Sequence, residues 1–220
     1  MAFSENCRSC SRLAQFLHEV RKSYPEYHAR PVPSFGGCHA RLLIVGLAPG
    51  MHGANRTGRP FTGDYAGNLL YSTLHQFGFA SSGEPLDASG QINAELELDD
   101  CRITNAVRCL PPQNKPLPDE VKQCNAYLVE ELTGLPKNGV ILALGTVAHN
   151  AVLRALGLRI KEHAFTHGVR HELPNGMVLY DSYHCSRYNT QTKRLTEAMF
   201  HDVFRAIAGY LHTLEANKQI

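Results

Sequence analysis

Four cysteines stand where they could share one inorganic centre. Cys7 and Cys10 form a C-x2-C pair, and Cys109 and Cys124 follow after a long gap, with fourteen residues between them. A chain of 220 residues can bury roughly 70% of its unfolded surface and needs no staples to fold. The pair therefore reads as a metal signature rather than a disulfide framework, and a total of seven cysteines, an odd number, points the same way. Four thiolates suit zinc or a [4Fe–4S] cluster, and spacing alone does not choose between them. Cys38, Cys101 and Cys185 are read as ordinary small buried or half-buried residues.

The second concentration of chemistry is GLAPGMHGANRTGRPFTGD, residues 46 to 64, with five glycines and two prolines. Such a loop can turn sharply and let backbone approach a ligand. Neither G-x-x-x-x-G-K-[ST] nor G-x-G-x-x-G is present, so nucleotide hydrolysis starts as a weak reading. The loop instead offers an aromatic (Phe61), an acid (Asp64) and the polar groups of His52, Asn55, Arg56, Thr57 and Arg59. That set suits a flat polar ring: a face to stack on, groups for its edge, and cations for a nearby phosphate. On composition alone, a structural glycine-rich turn around a buried Phe fits equally well.

The elements that must position these groups follow from hydrophobic spacing. Residues 5 to 24 read as a helix, 41 to 46 (RLLIVG) as a buried parallel strand, and 65 to 77 as a helix ending at Gly78. A strand is centred on residues 102 to 107, and a helix from Asp119 and Glu120 to about Leu132 has the acidic first turn its dipole favours. GVILALG (139–145) is a third apolar strand, with Thr146 expected to cap a helix to about Leu156. Residues 166 to 173 and 177 to 182 flank a Pro-Asn-Gly turn, and 191 to 214 read as a last helix. Alternation of this kind predicts an α/β fold with a mostly parallel sheet, whose ligands bind beyond the carboxyl ends of the strands. The polar loops after Gly46, around residues 105 to 112, and after Ser182 should therefore converge on one cleft.

Net charge is +2, which by itself does not point to nucleic acid. Basic residues do gather locally, around Arg154 to His171 and again at Arg187, Lys193 and Arg194. No apolar run approaches the roughly 20 residues of a membrane span, and no leader is recognised, so an intracellular, cytoplasmic protein is expected.

The long loop is similar to the first motif of the type B, or family 5, uracil-DNA glycosylases, iron–sulfur members of their superfamily. I-T-N-A-V-R-C-x-P-P (103–112) resembles the family's second strand and a cluster ligand, and H-C-S-R-Y-N-T (184–190) its late H-P-S-x-x-N motif. Motif order and spacing agree from Cys7 to about Arg194. The resemblance implies one domain over residues 1 to 220, a three-layer α/β/α fold around a mostly parallel four-stranded sheet, and a monomer. It implies hydrolysis of the N-glycosidic bond of uracil in DNA, and of other deaminated bases such as hypoxanthine, at the start of base excision repair. Phe61 would then stack on the flipped base and Asn105 pair with its edge. His184 would stabilise the departing base, and Asp64 would position water or stabilise the sugar, besides being a natural helix N-cap. Gly46, Leu47, Ala48, His52 and Asn55 would complete the substrate pocket. Arg56, Ser186, Arg187, Tyr188, Asn189 and Thr190 would meet DNA, with Arg187 and Tyr188 filling the vacated stack. Cys7, Cys10, Cys109 and Cys124 would hold a [4Fe–4S] cluster tying the N-terminal helix to the Pro-rich loop. Leu47 stands where related families place an acid or amide, and Cys185 where this family usually has Pro, which loosens the expected placement of residues 186 to 188. No lysine is placed by motif for lyase chemistry, so a monofunctional enzyme is expected. The competing readings are a non-catalytic iron–sulfur DNA-binding protein on the same scaffold and a zinc-stabilised nucleosidase.

Overall fold

A computed structural model describes residues 3–216. Helix α1 (Ser11–Ser23) turns Leu13, Leu17 and Val20 inward. The Pro- and Gly-rich segment after it contributes only a two-residue strand, β1 (Phe35–Gly36), before β2 (Leu42–Gly46). The long loop carries a single helical turn, α2 (Ala54–Thr57), and leads into α3 (Tyr65–Gln76). Then follow β3 (Cys101–Asn105), α4 (Pro118–Gly134), β4 (Val140–Leu144), α5 (Thr146–Ala155), β5 (Arg170–Glu172), β6 (Val178–Ser182), α6 (Arg187–Gln191) and α7 (Glu197–Ala216).

The sheet order is β1-β3-β2-β4-β6-β5. Its four middle strands run parallel, as expected, while β1 and β5 add short antiparallel edges. Every residue of β2, β4 and β6 is buried, which explains their uninterrupted apolar sequence: helices cover both faces. Alternate side chains part to opposite sides. Leu42, Ile44, Leu142 and Tyr180 join the core under α3 and α7, whereas Leu43, Val45, Ile141 and Leu179 join the core under α4 and α5. The result is the three-layer α/β/α arrangement.

Three local expectations are corrected. Thr146 does not cap α5; Gly145 does, because the chain leaves β4 at φ 95°, a conformation that suits glycine. The expected helix over 191 to 214 starts only at Glu197, as α7; before it Ser186 accepts a hydrogen bond from the Asn189 amide and starts a separate short helix, α6. Cys38 is exposed, in contrast to Cys101 and Cys185, which are buried.

The register sets the site. Gly46 lies beside Asn105 in the β2–β3 ladder, and Leu144 beside Ser182 in the β4–β6 ladder, so all four strands end along one rim. Pairing continues past the strand ends, with the amides of Ala106 and Val107 bonded to the carbonyls of Gly46 and Leu47. The loop above is tied down by buried polar groups. The Tyr71 hydroxyl donates to the Pro60 carbonyl at 2.9 Å, and the buried Arg59 guanidinium donates to Thr62 Oγ1 and to the carbonyls of Asn93 and Pro85. Helix α3 meets the loop at Gly67, where a Cβ would overlap the Phe61 carbonyl. Gly67→Ala should therefore cost roughly 1–3 kcal/mol or more in a urea titration, against the slight gain that Gly→Ala brings in an open helix.

Candidate active site

A cavity of about 880 Å³ opens at the rim. Leu47, Ala48, His52, Phe61 and Asp64 line it from the long loop, Asn105 from β3, and His184, Ser186 and Arg187 from the segment after β6. The three expected loops thus converge. A fourth wall was not read from the sequence: Leu144, Gly145, Thr146 and Val147, where β4 passes into α5. That segment is apolar and carries no motif-like polar group, so composition gave no signal. Tyr65, Asn68, Leu86 and Asn114 were missed for the same reason: each contributes a single side chain from an element that looks ordinary.

Phe61, Asn105 and His184 meet closely. The Phe61 and His184 rings stack with centroids 5.8 Å apart and an interplanar angle of 25°. A Cβ on Gly46 would run into the Asn105 amide oxygen and stand 2.6 Å from Phe61 Cζ. Gly46 lines nothing itself; its bare Cα lets the amide and the benzyl ring share the rim. Phe61 holds φ at 53°, a left-handed conformation unusual for an aromatic residue and a mark of local strain.

Two titratable groups of the lining, His184 and Asp64, are shifted by burial. Desolvation pushes the His184 imidazole down to about 4, and its Nδ1 is buried with no partner among the described residues. His184 is therefore neutral at ordinary pH. Burial pushes the Asp64 carboxyl above the usual carboxylate range, against the amides of Gly67 and Ala66, which pull it down. Asp64 caps α3 through a 3.0 Å bond from Gly67 N to Oδ1, while Oδ2 rests against Gly50 and Gly53, which have no side chains to displace it. The same carboxylate thus caps the helix and faces the cavity.

Other expected site residues lie elsewhere. Asn55 is fully buried beneath the loop, its amide donating to the Met51 carbonyl, and does not line the cavity. Arg56 is likewise off the lining, bonded to the His52 carbonyl at 2.9 Å. Asn189 donates to the His184 carbonyl at 2.8 Å, and Thr190 bonds within α6, so both brace the His184 segment. Arg187 lies over the Tyr65 ring at 5.4 Å, and Tyr188 stands out at 71% exposure.

Comparison with known proteins fits this geometry. The family model described as "Uracil DNA glycosylase superfamily" matches residues 33–208. The "Type-5 uracil-DNA glycosylase" of Thermus thermophilus is 48% identical over 202 residues, covering 90% of each chain. That of Mycobacterium leprae is 42% identical over 207 residues, covering 90% of this chain and 89% of the relative. The chain belongs to the uracil-DNA glycosylase superfamily, in its type-5 group. A "Type-4 uracil-DNA glycosylase" of Pyrobaculum aerophilum is 32% identical over 159 residues, 72% of this chain and 65% of the relative. Among the described residues, no helix of this type-5 glycosylase is long and apolar enough to cross a membrane.

Two clusters of ligand-type side chains lie outside the cavity. Cys7, Cys10, Cys109 and Cys124 gather around one small hollow between α1, the loop after β3, and α4. The Arg108 amide donates to Cys124 Sγ at 3.3 Å. The second cluster, His149, His171 and Asp181, is the one set among the described residues whose donor atoms all fall within 4.8 Å of one another. It is nevertheless an ionic network rather than a metal seat. His149 Nδ1 lies 2.7 Å from Asp181 Oδ1, and its Nε2 lies 2.8 Å from the His163 carbonyl. Both partners accept, so both nitrogens carry protons and neither has a lone pair to offer. His171 Nε2 and the Thr166 amide take the other carboxylate oxygen, at 3.0 and 3.3 Å. The basic group around residues 154 to 171 thus turns partly inward, and its outer members Arg159 and Arg170 pair with Glu162 and Glu172.

Burial pushes His149 down, but Asp181 and the His163 carbonyl outweigh it and leave its pKa raised. A raised imidazole pKa adds stability that is complete below the unfolded value and is lost as pH rises through the folded one. Asp181→Asn should therefore destabilise the protein by about 3–5 kcal/mol in acid, and by less in alkaline buffer. Urea midpoints at about pH 6 and about pH 9 check this.

Proposed function

We propose that the cavity hydrolyses the N-glycosidic bond of uracil in DNA, releasing the free base and leaving an abasic deoxyribose. The observation that carries the reading is the meeting of Phe61, Asn105 and a neutral His184 in one cavity. The curated type-5 relatives bear the name of that activity. The base must leave the stack to enter such a pocket, where an aromatic face and an amide edge can hold it. The Asn105 amide donates to a base carbonyl and accepts from the adjoining ring N–H.

As the bond from C1′ to the base breaks, its electron pair moves onto the base. His184, kept neutral by burial, donates a hydrogen bond to the base oxygen where that charge gathers. The start of α5, at Thr146 and Val147 on the cavity wall, adds partial positive charge on the same side. The Asp64 carboxylate faces the cationic sugar and orients the water that bonds to C1′; the proton this water loses neutralises the departing base anion. Leu47 also lines the cavity and cannot serve this purpose. Exposed Arg187 and Tyr188 enter the duplex and fill the space the base leaves.

The substrate range follows from the same edge. Deaminated bases share a ring N–H beside a carbonyl, so hypoxanthine meets Asn105 as uracil does, and the enzyme opens base excision repair of deaminated DNA. Asn105→Ala should lower uracil release roughly a hundredfold. The acid limb of kcat/KM should lie above the ordinary aspartate value and vanish in Asp64→Asn. Strand scission by alkali after incubation with lesion-bearing duplexes reads both variants, and unchanged rates would remove the residue from the site.

The four cysteines suit a [4Fe–4S] cluster: four sulfurs line one hollow, with no imidazole or carboxylate among its lining residues. A cluster held by Cys7, Cys10, Cys109 and Cys124 would supply a structural cross-link between α1, the loop after β3, and α4. Cys109→Ser should lose both iron by elemental analysis and brown visible absorbance, with a lowered melting temperature; a colourless wild type carrying zinc would reverse the assignment.

A further inference from the structure

At the C-terminal end of α1, outside the cavity, two tyrosines form an aromatic step, Tyr24 exposed and Tyr27 half-buried. Tyr24 and Tyr27 stack at 4.6 Å with an interplanar angle of 23°, and both meet the His52 ring edge-on, at 5.9 and 6.0 Å. The Tyr27 hydroxyl lies 2.9 Å from His52 Nδ1, and His52 lines the cavity, so the step adjoins its mouth. It is rigidly mounted: the amides of His28 and Ala29 bond to the carbonyls of Arg56 and Asn55 on the active-site loop. Tyr24 is exposed and lies outside the hydrophobic core. One helical turn before Tyr24, Arg21 borders a groove of about 480 Å³ that also carries Arg8, His18 and Arg30 against the single acid Glu5. Aromatic faces beside a positive groove are how proteins hold an unpaired nucleic-acid strand without reading its sequence.

We propose that this step and groove form a second DNA-binding surface. An unpaired base flanking the excised one stacks on Tyr24, and its phosphates follow Arg21, Arg8 and Arg30. The proposal rests on the glycosylase reading and extends it: the enzyme grips the strand on one side of the lesion as well as at the flipped base. The grip is one-sided, because the step adjoins the cavity at His52 whereas Arg187 lines it from the segment after β6.

The test is equilibrium binding of fluorescent single strands carrying a tetrahydrofuran abasic analogue. One strand has about ten nucleotides on each side, and two others are cut back to the analogue from the 5′ or the 3′ end. Tyr24→Leu should bind the full strand roughly fivefold or more weakly, Tyr24→Phe should bind as wild type does, and Arg30→Gln should flatten the salt dependence. The Tyr24→Leu defect should disappear on one truncated strand and persist on the other. A defect of equal size on all three strands, or none on the full strand, overturns the surface. Uracil release by wild type is followed alongside. Active wild type with an indifferent Tyr24→Leu sinks only this surface, whereas inert wild type sinks the glycosylase reading with it.

Discussion

The site depends on an absent side chain. Parallel pairing puts Gly46 level with Asn105, and the missing Cβ is what allows the Asn105 amide and the Phe61 ring to occupy the same corner. Any larger residue at position 46 would meet the far ends of both side chains and push them out of that corner. Glycines recur where the loop meets Asp64: Gly50 and Gly53 leave the space that its Oδ2 fills. The glycine content of the loop is thus a packing requirement as much as a turning one.

Burial then does the electrostatic tuning. Desolvation acts on His184 and Asp64 in opposite senses, since it opposes the charge on each: the imidazole is held neutral and the carboxylate made a stronger base. A neutral donor and a reluctant anion suit the proposed reaction, which sends negative charge onto the base and positive charge onto the sugar. The scaffold keeps both in place by indirect means. Asn189 holds the His184 carbonyl, His167 accepts from the Tyr183 amide at 3.1 Å, and Arg59 ties the Phe61 turn to the segment around residues 85 to 93.

What the sequence revealed follows from how local each signal was. The buried strands at 42–46 and 140–144 were legible because continuous apolar runs have few other uses. Asn105 and His184 stood out through the motifs that hold them, ITNAVRC and HCSRYNT, which resemble those of a known family. The edge strands β1 and β5 were hidden or blurred, since two or three residues carry no periodicity. Asn55 and Arg56 looked like ligands because a motif lists residue types and cannot say which way each side chain turns within a single helical turn. The wall formed by the start of α5 escaped notice because its contribution is backbone and shape. The His149 network was invisible for a different reason: its three members are 32, 22 and 10 residues apart along the chain and meet only through the fold.

The short outer strands have a consequence for how the molecule behaves in company. A six-stranded sheet offers two rows of unpaired amides and carbonyls to any passing chain. Here those rows are two and three residues long, with Arg102 on the neighbouring strand bonded across to the Gly36 carbonyl on one side and Arg170 packed over Tyr210 on the other. So little open backbone gives a foreign strand almost nothing to zip onto. Crowded along a polyanion with its neighbours, each copy can expose its reactive rim freely and still resist fusing with the next.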